Sequence, residues 1–429
     1  VITTESFSES CCADSSPSKE ASDPKGQLGI LIAGIFSIVA AGSYTTLAGL
    51  LTTDLVNQLG WTVTSIGPGI ALNMILYGLT APFAIHMMRR FGIAKIANVA
   101  LLTLIAGSGL ALIPHPLMFN FAWGIIIGIG TGCLTMAYGS LIVSTWFPSR
   151  QGTISGYLVA SSVFGQFALL PIWSEVVSVL GWRAPLIGSG TIAALAIFVN
   201  LIFLRDGKAK ASASQFGDAQ HGAHAGPLLF RGLAGASKTW VFWVLVTLFV
   251  ICGATTNGVM WSHFTLAASI CGLTVTAASS VLLLVGIFNV VGTTASGWLS
   301  DRVSVRIILA ASFGVRALAL FSLPIVLTEV FDAEIITFAI VFGIMDVATV
   351  PPVIAICNRV YGADGPAVFG WVNAFHQLGA GAMAYYGSVL WLVYGSYDPL
   401  WYTCGVLCLM AVCIVFATRY QSQHRLALN

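Results

Sequence analysis

The run IILAASFGVRALALFSLPIVL, residues 307–327, is followed after a short acidic turn by IITFAIVFGIMDVATVPPVIAI, residues 335–356. Each run is long enough to cross the hydrocarbon core of a bilayer as a helix, which needs about 20 apolar residues. Glu329, Asp332 and Glu334 crowd the turn between them, so the two runs read as a membrane hairpin. Arg316 lies deep in the first run and Asp346 deep in the second. A rise of about 1.5 Å per residue puts both roughly at mid-membrane. Ions at that depth are costly unless paired, hydrated or facing a protein cavity, so the two are expected to face each other and to serve transport or its gating. A clamp between adjacent helices is the competing reading. Pro351 and Pro352 remove two backbone donors, and a kink or local unwinding is expected around residues 347–352.

The rest of the chain repeats this pattern. Hydrophobic residues make up 57% of the 429 and charged residues only 8%, far from the composition of a soluble domain. That length accommodates about twelve spanning helices, beginning near Leu28, Ser65, Ile93, Met118, Thr153, Ala184, Trp240, Val275, Ile307, Ile335, Pro366 and Trp401. The fold class expected is an all-α membrane protein of two pseudo-symmetric six-helix bundles, residues 28–204 and 240–417. A polar tail, residues 1–27, is expected to be disordered. Residues 205–239 read as a linker and residues 418–429 as a second tail. Two echoes support repeated halves: Arg89-Arg90 and Asp301-Arg302 stand 212 residues apart, and Gly156 and Gly165 recur as Gly370 and Gly379 at an offset of 214. Inverted or parallel repeats suit alternating access around a site at their interface.

Charge sets the orientation. Arg89, Arg90, Lys95, Arg150, Arg205, Lys208, Lys210, Arg231, Lys238, Arg302, Arg306 and Arg359 fall on one side of this topology. The other side carries Arg183 with Asp54, Glu175, Glu329, Asp332, Glu334 and Asp398. The positive-inside pattern therefore places linker and both termini in the cytoplasm, in a multi-pass protein expected at the plasma membrane. A net charge of +2 and the lack of a basic stripe exclude a nucleic-acid partner. Cys133, Cys252, Cys357 and Cys404 have no ligand spacing and read as packing residues, with no metal and no cofactor expected.

Polar residues inside the apolar runs are the candidates for a solute site. Asn73 and Tyr77 are four apart and share a helical face, as do Asn373 and Gln377, with His376 three beyond Asn373. Tyr138, Gln166 and Asn257 lie in other spans. Each of these can line a cavity or simply bond a neighbouring helix.

Several segments resemble the major facilitator superfamily, most like its monocarboxylate and oxalate–formate porter branch. APFAIHMMRRFG, residues 81–92, is similar to the inner turn after the second span, with Arg89 where an aspartate is common. SGWLSDR, residues 296–302, is similar to the matching turn of the second half and keeps Asp301 and Arg302. WFPSRQGTISGY, GWRAP, MDVATVPP and FGWVNAFHQLGAG resemble further recurring segments, so the resemblance covers nearly everything after the tail. It implies a secondary transporter rather than an enzyme, with Arg89, Arg90, Asp301 and Arg302 as gate residues. The acid and arginine that such carriers have in span eight are missing.

The resemblance implies a small organic anion, a monocarboxylate, carried with a proton by a monomer in the lipid bilayer. In that scheme Arg316 supplies a permanent charge, Asp346 exchanges the proton and His376 is a second titratable group. Asn73, Tyr77, Asn373 and Gln377 orient the solute. The alternative is a neutral, aromatic or amphipathic solute, with Arg316 and Asp346 locking the second bundle. A membrane receptor without flux is the reading from a different class.

Overall fold

The computed structural model describes residues 24–134, 136–147, 151–204, 233–300, 302–362 and 365–418. All its elements are helices. The first half comprises α1 (Pro24–Thr45), α2 (Leu47–Leu59), α3 (Val63–Phe91), α4 (Ile93–Ala111), α5 (Pro116–Asn120), α6 (Gly128–Cys133), α7 (Met136–Trp146), α8 (Gln151–Val163), α9 (Leu169–Leu180) and α10 (Arg183–Phe203). The second comprises α11 (Trp240–Thr255), α12 (Ser262–Ile270), α13 (Val275–Ser300), α14 (Val305–Val326), α15 (Ala333–Asp346), α16 (Val350–Tyr361), α17 (Gly365–Tyr394) and α18 (Asp398–Ala417). Wider π-type turns join α5 to α6 (Phe121–Ile127), α8 to α9 (Phe164–Ala168) and α11 to α12 (Asn257–Trp261). The first helix starts at Pro24, four residues before the expected Leu28. Most of the tails and of the linker expected at 205–239 lies outside the described residues.

Among the described residues, eleven helical stretches are long and apolar enough to cross a membrane, against the twelve expected. The difference is α17. It is 30 residues long, but Asn373, His376, Gln377 and its glycines keep its hydropathy low. Burial supplies the reason such a helix is tolerated, since Val372, Ala374, Ala380 and Ala384 are covered by protein.

Short polar caps set the helix starts. Thr62 accepts from Ser65 N ahead of α3, His115 from Leu117 N ahead of Pro116, and Asp332 from Glu334 N and Ile335 N at 3.0 and 3.1 Å ahead of α15. Each accepts one of the orphan donors of a first turn. The face that α14 buries recurs at helical spacing, Leu309, Phe313, Arg316, Leu320 and Leu323, while Ile307, Leu318 and Ile325 point outward to lipid. Arg316 is thus turned into the protein by the period of its own helix.

Backbones approach closely where the halves and helices meet. A Cβ at Gly78 of α3 would overlap the Gln377 side chain of α17, and one at Gly253 of α11 would collide with the main-chain oxygen of His376. Small residues permit this packing, which in lipid replaces the hydrophobic drive of a soluble core. Helices α3 and α17 form the main contact between first and second halves. At the end of the molecule that carries Glu175, α9 meets α13: the Ser174 and Thr276 hydroxyls are 2.8 Å apart and Thr276 donates to Glu175 Oε1 at 2.7 Å.

Candidate functional site

Helix α15 stops at Asp346, and α16 resumes at Val350 with Pro351 and Pro352 in its first turn. Prolines carry no N–H, so the carbonyls four residues earlier, Val347 and Ala348, lose their helical donors. Each finds another: Val347 O accepts from Val350 N at 3.0 Å, and Ala348 O from the Ser296 hydroxyl. With Val350 N so engaged, the last carbonyls of α15 are left to other partners. Arg316 supplies them. Its Nη2 donates to Met345 O at 2.7 Å and to Asp346 O, while Nη1 reaches the Cys252 sulfur and the Thr255 hydroxyl, each at 3.4 Å.

This corrects the expected ion pair. Arg316 and Asp346 do meet, both buried, but through the main-chain oxygen of Asp346. The Asp346 carboxylate is turned to α13, where Asn289 Nδ2 donates to its Oδ2 at 2.9 Å. Among the described residues, Asp346 Oδ1 and Arg316 Nε have no hydrogen-bond partner. The physical reason is that a broken helix end gathers unpaired carbonyls and the negative pole of the helix dipole, which suit a guanidinium without a carboxylate. Of the unwinding expected around residues 347–352, residues 347–349 are non-helical and the helix resumes at Val350, ahead of both prolines.

Helix α11 is broken too. It ends at Thr255, the chain departs from helical angles at Thr256, and the π-type turn Asn257–Trp261 follows. Beside this break lies a cavity of about 20 Å³, lined by Thr45, Asn73, Met74, Tyr77 and Thr131 from the first half and by Asn257, Trp261 and Gln377 from the second. Space of that size holds about one water molecule. None of the lining side chains is charged. Asn257 Nδ2 donates to Gln377 Oε1 at 3.4 Å across the second-half wall, and Asn73 Nδ2 donates to Trp123 O at 2.7 Å in the first. Asn73 therefore does both things the sequence left open.

Residues 33–328 and 248–427 match the family described as the Major Facilitator Superfamily. The chain belongs to that superfamily. It is 25% identical over 357 residues to the uncharacterized MFS-type transporter YcxA of Bacillus subtilis (strain 168), covering 82% of this chain and 83% of the relative. It is 23% identical over 288 residues to the uncharacterized MFS-type transporter YhjX of Escherichia coli (strain K12), covering 65% and 67%. The fold is that of the crystal structure of nucleoside transporter NupG, with a TM-score of 0.71 at 12% identity, covering 91% of this chain and 98% of that one. The protein is a multi-pass membrane protein and a secondary transporter of the Major Facilitator Superfamily, and not an enzyme.

The remaining candidates of this superfamily member divide by position. Asn73, Tyr77, Asn257 and Gln377 are brought together at the cavity. Tyr138 is buried away from that lining, Asn373 is half-buried outside it, and the Gln166 amide folds back on Ser162 Oγ at 2.8 Å. His376 is outside the lining and packs against α11, its ring 5.7 Å from that of Phe249. Arg89, Arg90 and Arg302 are exposed at the basic end, with Arg302 4.0 Å over the Trp298 ring, and Asp301 lies outside the described residues. Cys252, read from sequence as packing, touches Thr349 Oγ1 at 3.3 Å as well as Arg316. Thr45, Met74, Thr131 and Trp261 were missed because nothing in the sequence sets these hydroxyl, thioether and aromatic side chains apart from the others in the spans. Asn289 was the readable omission: a lone amide in the apolar run from Val281 to Val291.

Proposed function

We propose that this transporter carries a neutral or amphipathic solute with hydrogen-bonding groups, by alternating access of two six-helix bundles around the cavity between α3, α11 and α17. One observation carries the reading: the cavity draws its lining from both halves and has no charge on it, while the membrane-depth cation, Arg316, is engaged behind its wall. A monocarboxylate would need that cation in the cavity. The name of the fold relative agrees with this chemistry, a nucleoside being a neutral, polar and aromatic solute.

The eleven apolar helices together with α17 make the twelve spans, divided as residues 28–204 and 240–417 with the linker at 205–239. The basic end and both termini are cytoplasmic, the acidic end faces out, and the working unit is a monomer in the plasma membrane. Closure at Ser174, Glu175 and Thr276 then makes the outer side the shut one. Asp346 is the proton-exchanging group, since one oxygen is bonded by Asn289 and the other is free to take a proton.

The test is uptake into proteoliposomes of matched pairs, each a carboxylate and its amide, with nucleosides and aromatic alcohols added, with and without an inward proton gradient. Accumulation of neutral members and not of their acids supports the assignment. Uptake confined to carboxylates would overturn it in favour of the organic-anion reading. Asp346→Asn is expected to keep solute exchange while losing gradient-driven accumulation; accumulation unchanged would remove Asp346 from coupling.

A further inference from the structure

We infer that Arg316 is a positioning residue for the solute cavity: one planar guanidinium ties the two helix breaks of the second half together and so fixes where Asn257 and Trp261 stand. The inference rests on the transporter reading above and names how its site is held.

The two edges of the guanidinium face two different discontinuities. Nη2 binds the carbonyls at the end of α15, and Nη1 binds Cys252 and Thr255 at the end of α11. A second link runs between the same breaks, from the Cys252 sulfur to Thr349 Oγ1 at 3.3 Å. From Thr255 the path to the cavity is short. The neighbouring Thr256 hydroxyl, with one proton to give, stands 2.8 Å from Cys252 O and 3.3 Å from Asn257 Oδ1 and donates to one of them at a time, and Asn257 in turn donates to Gln377. A guanidinium is suited to this task because its donors form a rigid fork; an ammonium is a point charge that can satisfy one broken end at a time. A clamp meant only to hold α14 against its neighbours has no need to seek out both breaks, and intact helices would offer it no free carbonyls.

Hydrogen–deuterium exchange of the purified full chain in lipid nanodiscs tests the tie without any substrate. Arg316→Lys should leave α15 protected and speed exchange in residues 252–262 by about tenfold, the loss expected for one buried polar contact. Arg316→Gln should loosen residues 252–262 and 345–350 together. Thr255→Val, which removes the hydroxyl acceptor on α11, leaves the Cys252 sulfur and preserves shape, should change exchange in the same direction as Arg316→Lys and guards against a variant that fails to fold. In proteoliposomes, Arg316→Lys and Thr255→Val should raise KM for the solute about tenfold with a much smaller change in maximal rate. Exchange in residues 252–262 at the native rate, or a rise spread evenly over the whole chain, overturns the tie. Faster exchange there with KM unchanged overturns the positioning role. If the native protein moves no solute, the transporter reading fails, and the exchange result still decides whether the breaks are tied.

Discussion

At the scale of single residues, depth in the membrane and identity of a bonding atom are different kinds of information. The sequence places Arg316 and Asp346 at one depth, and they do adjoin. It does not say that the guanidinium will take carbonyls and the carboxylate an amide, because those carbonyls exist only once α15 has broken. Asn289 makes this concrete. Replacing it by Ala leaves a buried carboxylate with no donor, so Asn289→Ala is expected to destabilise the protein by about 1–3 kcal/mol, read as a lower midpoint in detergent thermal unfolding. Asn257→Ala removes the donor to Gln377 Oε1 at the cavity, and in proteoliposome uptake the solute KM is expected to rise about tenfold, with about 1–3 kcal/mol of stability lost.

Among elements, the positions of the hairpins were legible because an apolar run about 20 residues long has few other uses. The Pro351-Pro352 break was legible for a comparable reason, as proline states its missing donor in the sequence. The π-type turns at Phe121–Ile127, Phe164–Ala168 and Asn257–Trp261 carry no such mark, since a widened turn is stabilised by what packs against it. Nor does a glycine reveal which partner presses on it. Gly292 lies between Asn289 and Ser296 on α13, and a Cβ there would run into the backbone of Ile344. Gly292→Val should therefore push α13 from α15, break both side-chain bonds to the α15–α16 segment, and cost about 1–3 kcal/mol or more. Gly314→Ala is the matched control. Its new Cβ would meet only Val412 at 3.9 Å, so α14 should hold or gain about 0.5–1 kcal/mol from the lost glycine flexibility. Thermal unfolding of the two variants side by side reads the difference.

Over the whole molecule, an all-helical fold with many membrane-crossing helices could be read from residue order alone. Which end is shut could not, because closure depends on contacts between helices a hundred residues apart, such as Ser174 and Thr276. Thr276 bonds both Ser174 and Glu175, and two such bonds are worth about 1–3 kcal/mol net. Thr276→Val should shift the balance toward opening at the acidic end by about fivefold or more. A reporter at Ser388, which faces Gly67 across α3 and α17, makes this visible. In the background of Ser388→Cys, labelling by a water-soluble maleimide should be faster with Thr276→Val, and an unchanged rate would mean that these hydroxyls do not govern closure.

The buried guanidinium also bears on how the chain enters the bilayer. Residues are made in order, and the two carbonyls that hold Arg316 come 29 and 30 residues after it. When α14 first leaves the ribosome, it carries a charge worth about 2.5–3.5 kcal/mol against insertion and lacks half its ligands. Cys252 and Thr255 of α11 are already made, and α15 follows after a short acidic turn. Insertion of α14 is therefore expected to be completed late, against α11 and together with α15, so that the helix break which serves the finished carrier also sets a step in its biogenesis.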